Sequence, residues 1–267
     1  MMNIIRADIY RILRGKAIYI TFAVLLAFNI IVIATAQPGG FAIDVGSEQQ
    51  PFSNNDPENF IFDGLHIVNV LYNGADNLAY ILIPLFILVA APMFSHGTVK
   101  NYLAGGTSRT KLYFMKLALS SALSFLMVLF YMSSGILIAT ILRGYGGAPP
   151  DGYWLDFIKI CSGQFFMILA LNCVGTFLVF TTKRTAIVNG AYLAFCIIPT
   201  TIVMLLLTVN PDFGKLYDFD LLGNISKFGY MEVMETADFI KAFATGAFYI
   251  IASTLAGILL FKRAEIK

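Results

Sequence analysis

The chain has 267 residues, 58% of them hydrophobic and only 13% charged. Soluble domains carry about 25% charged residues, so this composition excludes an ordinary soluble domain, a disordered chain and a collagen-like one. Three cysteines exclude a disulfide scaffold, and the net charge of +2 says less than how the charges are distributed. Cys161, Cys173 and Cys196 lie in apolar runs without metal-ligand spacing and read as small buried hydrophobes.

Six charge-free stretches, 17–36, 77–95, 117–142, 160–182, 185–211 and 242–261, together hold 135 residues. About 20 apolar residues in a helix cross a bilayer core. Lipid offers the backbone no partners, so a span is a helix or part of a closed barrel. Period-2 alternation is missing and the runs are too long for barrel strands. The expected fold is an all-α membrane protein with six transmembrane helices.

Residues 1–16 are too polar to span. Ile5, Ile9, Ile12 and Leu13 fall on one helical face and Arg6, Arg11 and Arg14 largely opposite, predicting an interfacial amphipathic helix. A plain basic flank is the alternative. Span one follows at 17–36. It ends at Ala34-Thr35-Ala36, which resembles a signal-peptidase site, but the run is long for a signal core, and we keep an intact first helix. The segment 37–76 is acidic and rich in turn residues such as Pro38, Gly39, Gly40, Pro51 and Pro57. It is either a cation-attracting vestibule or simply an outer loop from which Lys and Arg are excluded.

Pro84 and Pro92 should kink span two, and Pro199 span five. The loop 143–159 is Gly/Pro-rich, with Tyr145, Tyr153 and Trp154 at an interface. In 212–241, Leu221, Leu222, Ile225, Phe228, Tyr230 and Met231 predict short or re-entrant helices against the outer leaflet. Asn29, Gln164, Asn172 and Asn189 are the costly polar groups of the spans; they serve either interhelical hydrogen bonding or substrate contact. Ala252 and Ala256 form a small-xxx-small pair.

Segments 1–16, 96–116, 183–184 and 262–267 hold 13 Lys/Arg against two acids, Asp8 and Glu265, whereas 37–76, 143–159 and 212–241 hold five against 14 acids. The positive-inside rule then places both termini in the cytoplasm.

Chemistry-bearing motifs are missing. The chain has no HExxH, no GxSxG and no P-loop, and neither His66 nor His96 has a second ligand at metal spacing. The six spans carry no His, Asp, Glu or Lys, which argues against an intramembrane hydrolase and a proton-coupled carrier. The expectation is a non-enzyme that binds no cofactor and draws energy from a partner.

The loop 96–116, HGTVKNYLAGGTSRTKLYFMK, holds Lys100, Arg109, Lys111 and Lys116 and no acid. Thr98 can cap a short helix through Tyr102 and Leu103, Gly105-Gly106 ends it, and Thr107 or Ser108 can cap the next. A protruding helix of this kind can enter a groove on another protein; a charged hairpin that merely obeys topology is the bland reading.

Here the sequence resembles the ABC-2 type permeases of ATP-binding-cassette transporters. GTVKNYLAGGTSRTKLYFMK at 97–116 is similar to their loop pattern GT-x-K-N-x-L-x-x-G-x-S-R. IIRADIYRILRGKAIYI at 4–20 is similar to their interfacial helix, and FKRAEIK at 261–267 to their ending. Met93, Phe94, Ser95 and His96 stand where members often carry acids. The resemblance implies one half of a dimeric membrane unit, paired with a second permease copy or a paralogue, in the bacterial cytoplasmic membrane. Two cytosolic ATPase subunits would hold the ATP and Mg. The coupling loop 97–111 would dock them through Thr98, Lys100, Asn101, Leu103, Ser108, Arg109 and Lys111. Membrane lipid is a partner and nucleic acid is not. Asn29, Gln164, Asn172 or Asn189 would mark the substrate route. An amphipathic cationic peptide or antibiotic is the favoured cargo; a lipid, drug or sodium exporter, a peptide sensor and a scaffold that only recruits the ATPase are the alternatives.

Overall fold

The computed structural model describes residues 2–35, 63–95, 97–229 and 236–264. Ala36, the acids Asp44, Glu48, Asp56 and Glu58, the prolines and glycines of 37–57, His96, Tyr230, Met231 and Glu265 lie outside the described residues. Among the described residues all regular structure is helical.

In chain order the helices are α1 (Met2–Arg14), α2 (Lys16–Thr35), α3 (Ile67–Asn73), α4 (Leu78–Ala90), α5 (Pro92–Ser95), α6 (Val99–Ala104), α7 (Arg109–Arg143), α8 (Tyr153–Thr182), α9 (Thr185–Val209), α10 (Leu221–Gly229) and α11 (Thr236–Arg263). Short 3-10 turns stand at Ala75–Asn77 and Pro211–Phe219. Five helices, α2, α7, α8, α9 and α11, are long and apolar enough to cross a bilayer. A sixth crossing arises if the pair Ile67–Asn73 and Ala75–Ala90, bent by 47°, counts as one span. The chain is thus a multi-pass helical membrane protein.

The second span differs from the proline-kinked helix expected over 77–95. It begins earlier, at Ile67, and breaks at Gly74 and again at Ala91. Asp76 sits at the first break, so the charge-free stretch understates the apolar segment. Its carboxylate accepts from the backbone and side-chain N–H of Asn77, at 2.9 and 3.0 Å, which a helix break permits. The prolines behave unequally. Pro92 opens the short helix α5, whereas Pro84 and Pro199 stand inside α4 and α9 without ending them.

Helix α8 is the centre of the bundle. In its most apolar stretch 61% of residues are buried, against 17% in α9. It packs against α4, α7, α9, α10 and α11. Close approach is set by glycine: a Cβ on Gly175 of α8 would lie 2.8 Å from Phe86 Cζ of α4.

The 212–241 segment forms short helices, as expected, but not against lipid. Leu221, Leu222, Ile225 and Phe228 are all buried, and α10 packs on α8 and α3. Phe228 fills the space left by Gly163. At the same end, Gly64 N–H donates to Gly144 O and Leu65 N–H to Tyr145 O, tying the start of α3 to the loop after α7. Trp154 there stays exposed, as an interfacial ring should.

Replacing Gly175 by valine should destabilise the protein by about 1–3 kcal/mol through overpacking against Phe86. Thermal unfolding in detergent, read against Gly190→Val at an open position of α9, checks this; equal melting of the two variants would contradict the packing.

Candidate functional site

Both described chain ends, α5, α6 and the turn between α8 and α9 converge on the basic end of the bundle. Helix α1 meets it with a mixed face. Ile12 and Asp8 are buried while Ile9 and Leu13 are 41% and 55% exposed, so the inward stripe is Ile5, Asp8 and Ile12, not the four apolar residues alone. Arg6 and Arg14 are exposed.

Asp8 is the anchor of this end. One carboxylate oxygen lies 2.6 Å from Lys116 Nζ of α7, and the other 3.1 Å from an Arg11 guanidinium nitrogen. Lys116 is wholly enclosed, 0% exposed. Its ammonium also stands 5.7 Å from the ring centre of Tyr102 on α6, within cation–π range. Burial, and then the charge of Asp8, hold the Tyr102 phenol above its usual range, so the ring stays neutral.

Arg11 reaches further, donating to Leu88 O and Val89 O of α4 at 3.4 Å each. The reason is covalent. Pro92 has no N–H, so the carbonyl four residues earlier, Leu88 O, has no helical donor. Arg11 supplies one and meets the negative end of the α4 dipole.

Arg109 does the same for α11. Its Nη1 donates to Phe261 O, Lys262 O and Ala264 O at 3.0, 2.8 and 2.7 Å. The guanidinium of this residue, expected to dock a partner, is thus spent on the C-terminus of α11 inside the same chain. Ser108 caps α7 as anticipated, accepting from Lys111 N–H at 3.3 Å. Thr98 does not cap α6; its hydroxyl donates back to Met93 O at 3.5 Å. Gly106, at φ +80°, ends α6. On the outer side of this loop Lys100, Asn101, Ser108 and Lys111 are exposed, while Leu103 is half-buried.

The four polar residues of the spans separate. Asn29 donates to Tyr131 O and Ser134 Oγ, Gln164 to Tyr72 O and Ile225 O, and Asn172 to Ser120 Oγ and Ser121 Oγ. All three are 0% exposed and serve as interhelical glue within one chain. Asn189 alone is exposed, near the start of α9.

Asp8 and Lys116 went unread because each was counted only as a topological charge. A signal existed: Asp8 is the lone acid among four cations in 1–16, and Lys116 directly precedes the 117–142 run. Among the described residues no cluster of three His, Cys, Asp or Glu side chains is arranged to hold a metal. No family model matches the chain, and no curated protein matches it.

Lys116→Met leaves Asp8 buried with Arg11 alone and should cost about 3–5 kcal/mol. Asp8→Asn combined with Lys116→Met should recover most of that loss. Chemical or thermal unfolding of these two variants and of Asp8→Asn alone gives the coupling, and additive single effects would show the pair to be inert.

Proposed function

We propose that the chain is the membrane permease subunit of an ATP-driven exporter of the ABC-2 type. In this reading it sits in a bacterial cytoplasmic membrane with both termini and the 97–111 loop on the cytoplasmic side. The observation that carries the reading is the anchored coupling loop. Helix α6 presents Lys100 and Asn101 outward while Val99 is buried and Tyr102 lies over Lys116. A six-residue helix has no stability of its own, so its pose is that of its anchors.

Closure of an ATPase pair would press on α6. The load would pass through Tyr102 and Lys116 to α7 and α1, and through Arg109 to α11. The difference in ATPase affinity between the two permease states supplies direction. A second copy would meet the least buried helices, α9 first and then α2 and α11. Exposed Asn189 is then the polar point presented to such a seam. For cargo, the acidic end, with 14 acids against five cations in its connecting segments, favours an amphipathic cationic peptide.

Two measurements bear on this. In a cysteine-free background, Asp151→Cys should react with an impermeant thiol reagent on intact cells and Ser108→Cys should not; the opposite pattern would reverse the orientation. In proteoliposomes, the lone chain should show no ATP turnover. Co-reconstitution with the cognate ATPase should give peptide-stimulated turnover that Lys100→Glu lowers by roughly tenfold, a loss of about 1.4 kcal/mol in docking. Turnover by the lone chain, or a complex indifferent to Lys100, would defeat the proposal.

A further inference from the structure

Helices α8, α9 and α11 enclose a cleft of about 360 Å³ that is open on one side, within the roughly 300–1,000 Å³ range of small-molecule sites. Phe177 and Leu178 of α8 form its floor, and the small side chains of Ala191, Ala252 and Ala256 leave it empty. Phe195 and Tyr249 close the end remote from the chain termini, their rings edge to face at 5.7 Å. Both hydroxyls in its wall are engaged within the chain: Ser253 Oγ donates to Tyr249 O at 2.6 Å and Tyr249 OH to Phe219 O at 3.4 Å. The lining therefore offers a guest only hydrocarbon.

The depth is readable from helix geometry. Ala191 is seven residues from Arg184 and Ala256 six from Lys262, so the cleft lies about 10 Å from the basic end at 1.5 Å per residue. That is about a third of the way into a ~30 Å hydrocarbon core. Two of these helices end in charge here: Arg184 opens α9, and Lys262 and Arg263 close α11, all three exposed. Lys262 lends only its backbone carbonyl to the Arg109 cap.

We propose that this cleft holds one acyl chain of an anionic phospholipid, whose headgroup is met by Arg184, Lys262 and Arg263. A volume of about 360 Å³ is too small to take in a helix of a second copy, which is 10–12 Å across with its side chains. The basic rim favours an anionic over a zwitterionic headgroup, each Lys or Arg near such a surface being worth roughly fivefold in binding. The site does not depend on the transport reading.

The test is native mass spectrometry of the purified full chain after delipidation, with phosphatidylglycerol or phosphatidylcholine added back. The wild type should retain one phosphatidylglycerol in preference. Ala252→Leu with Ala256→Leu should fill the cleft and lower retention roughly tenfold, whereas Ile251→Phe, on the exposed side of the same helix, should not. Neutralising Arg184, Lys262 and Arg263 to glutamine should abolish the headgroup preference. A fluorescence arm covers a filled variant that fails to fold: Phe177→Trp in a Trp154→Phe background should be quenched by brominated phosphatidylglycerol at lower mole fraction than by brominated phosphatidylcholine. Equal quenching by the two lipids overturns the proposal. So does equal retention by the filled variant and the wild type, or a disulfide between two copies formed through Ala256→Cys, which would give the cleft to a second chain.

Discussion

Lipid cannot hydrogen-bond, so wherever a membrane helix stops or breaks, its last carbonyls need donors from elsewhere in the protein. Much of this structure follows from that demand. Leu88 O and Val89 O, exposed by Pro92, take Arg11 from α1. The end of α3 is met twice, by Tyr131 OH donating to Leu71 O at 3.1 Å and by Gln164 donating to Tyr72 O at 2.8 Å. The last turn of α11 takes Arg109. Each cap comes from a residue far away in the chain, so satisfying a helix end also fastens two helices together. The breaks in span two thus become points of attachment to α1, α7 and α8.

Such fastenings occur at both ends. At the acidic end they tie the connecting segments to one another and to the spans: Thr200 of α9 and the backbone N–H groups of Leu222 and Gly223 all donate to Asp220, Thr245 of α11 donates to Asp218 O, and Lys227 pairs with Asp218 at 2.6 Å. At the basic end they join surface elements to the spans. Helix α1 is held to α4 and α7, α6 to α7, and the start of α7 to the end of α11. A force on the 97–108 loop is passed into those helices, as the proposed coupling role requires.

The parts legible in the sequence were those set by solvation. A run without charge must be in lipid or in a core, so 117–142, 160–182, 185–211 and 242–261 emerge as α7, α8, α9 and α11. Helices α7, α8 and α11 outrun those limits because charges do not end them: Ser108 starts α7 and Gly144, at φ +84°, ends it. Span two was misjudged for the converse reason. Asp76 closed the charge-free stretch, yet its carboxylate is satisfied by Asn77 beside it and the apolar helix continues past it to Ile67. The loop motif gave the position of α6 but not the work of its residues. Arg109 looks like any other cation until the end of α11, 152 residues away, lies beneath it.

The buried pair of Asp8 and Lys116 is the hardest part to justify by stability. Replacing both partners of such a pair with apolar residues of matching shape often costs little, because each charge gives up its hydration to be there. An apolar contact, though, tolerates sliding and rotation. A carboxylate held 2.6 Å from an ammonium on one side and 3.1 Å from a guanidinium on the other does not. With that geometry fixed, α1 can present only one face: Ile12 falls into the core, Arg11 lands on the end of α4, and Lys116 is held against the ring of Tyr102. Rotating α1 alone would strand the enclosed Lys116 ammonium with no water to receive it, and shifting α6 alone would take the Tyr102 ring from it. The two elements at this surface are therefore constrained to move with α7 or not at all.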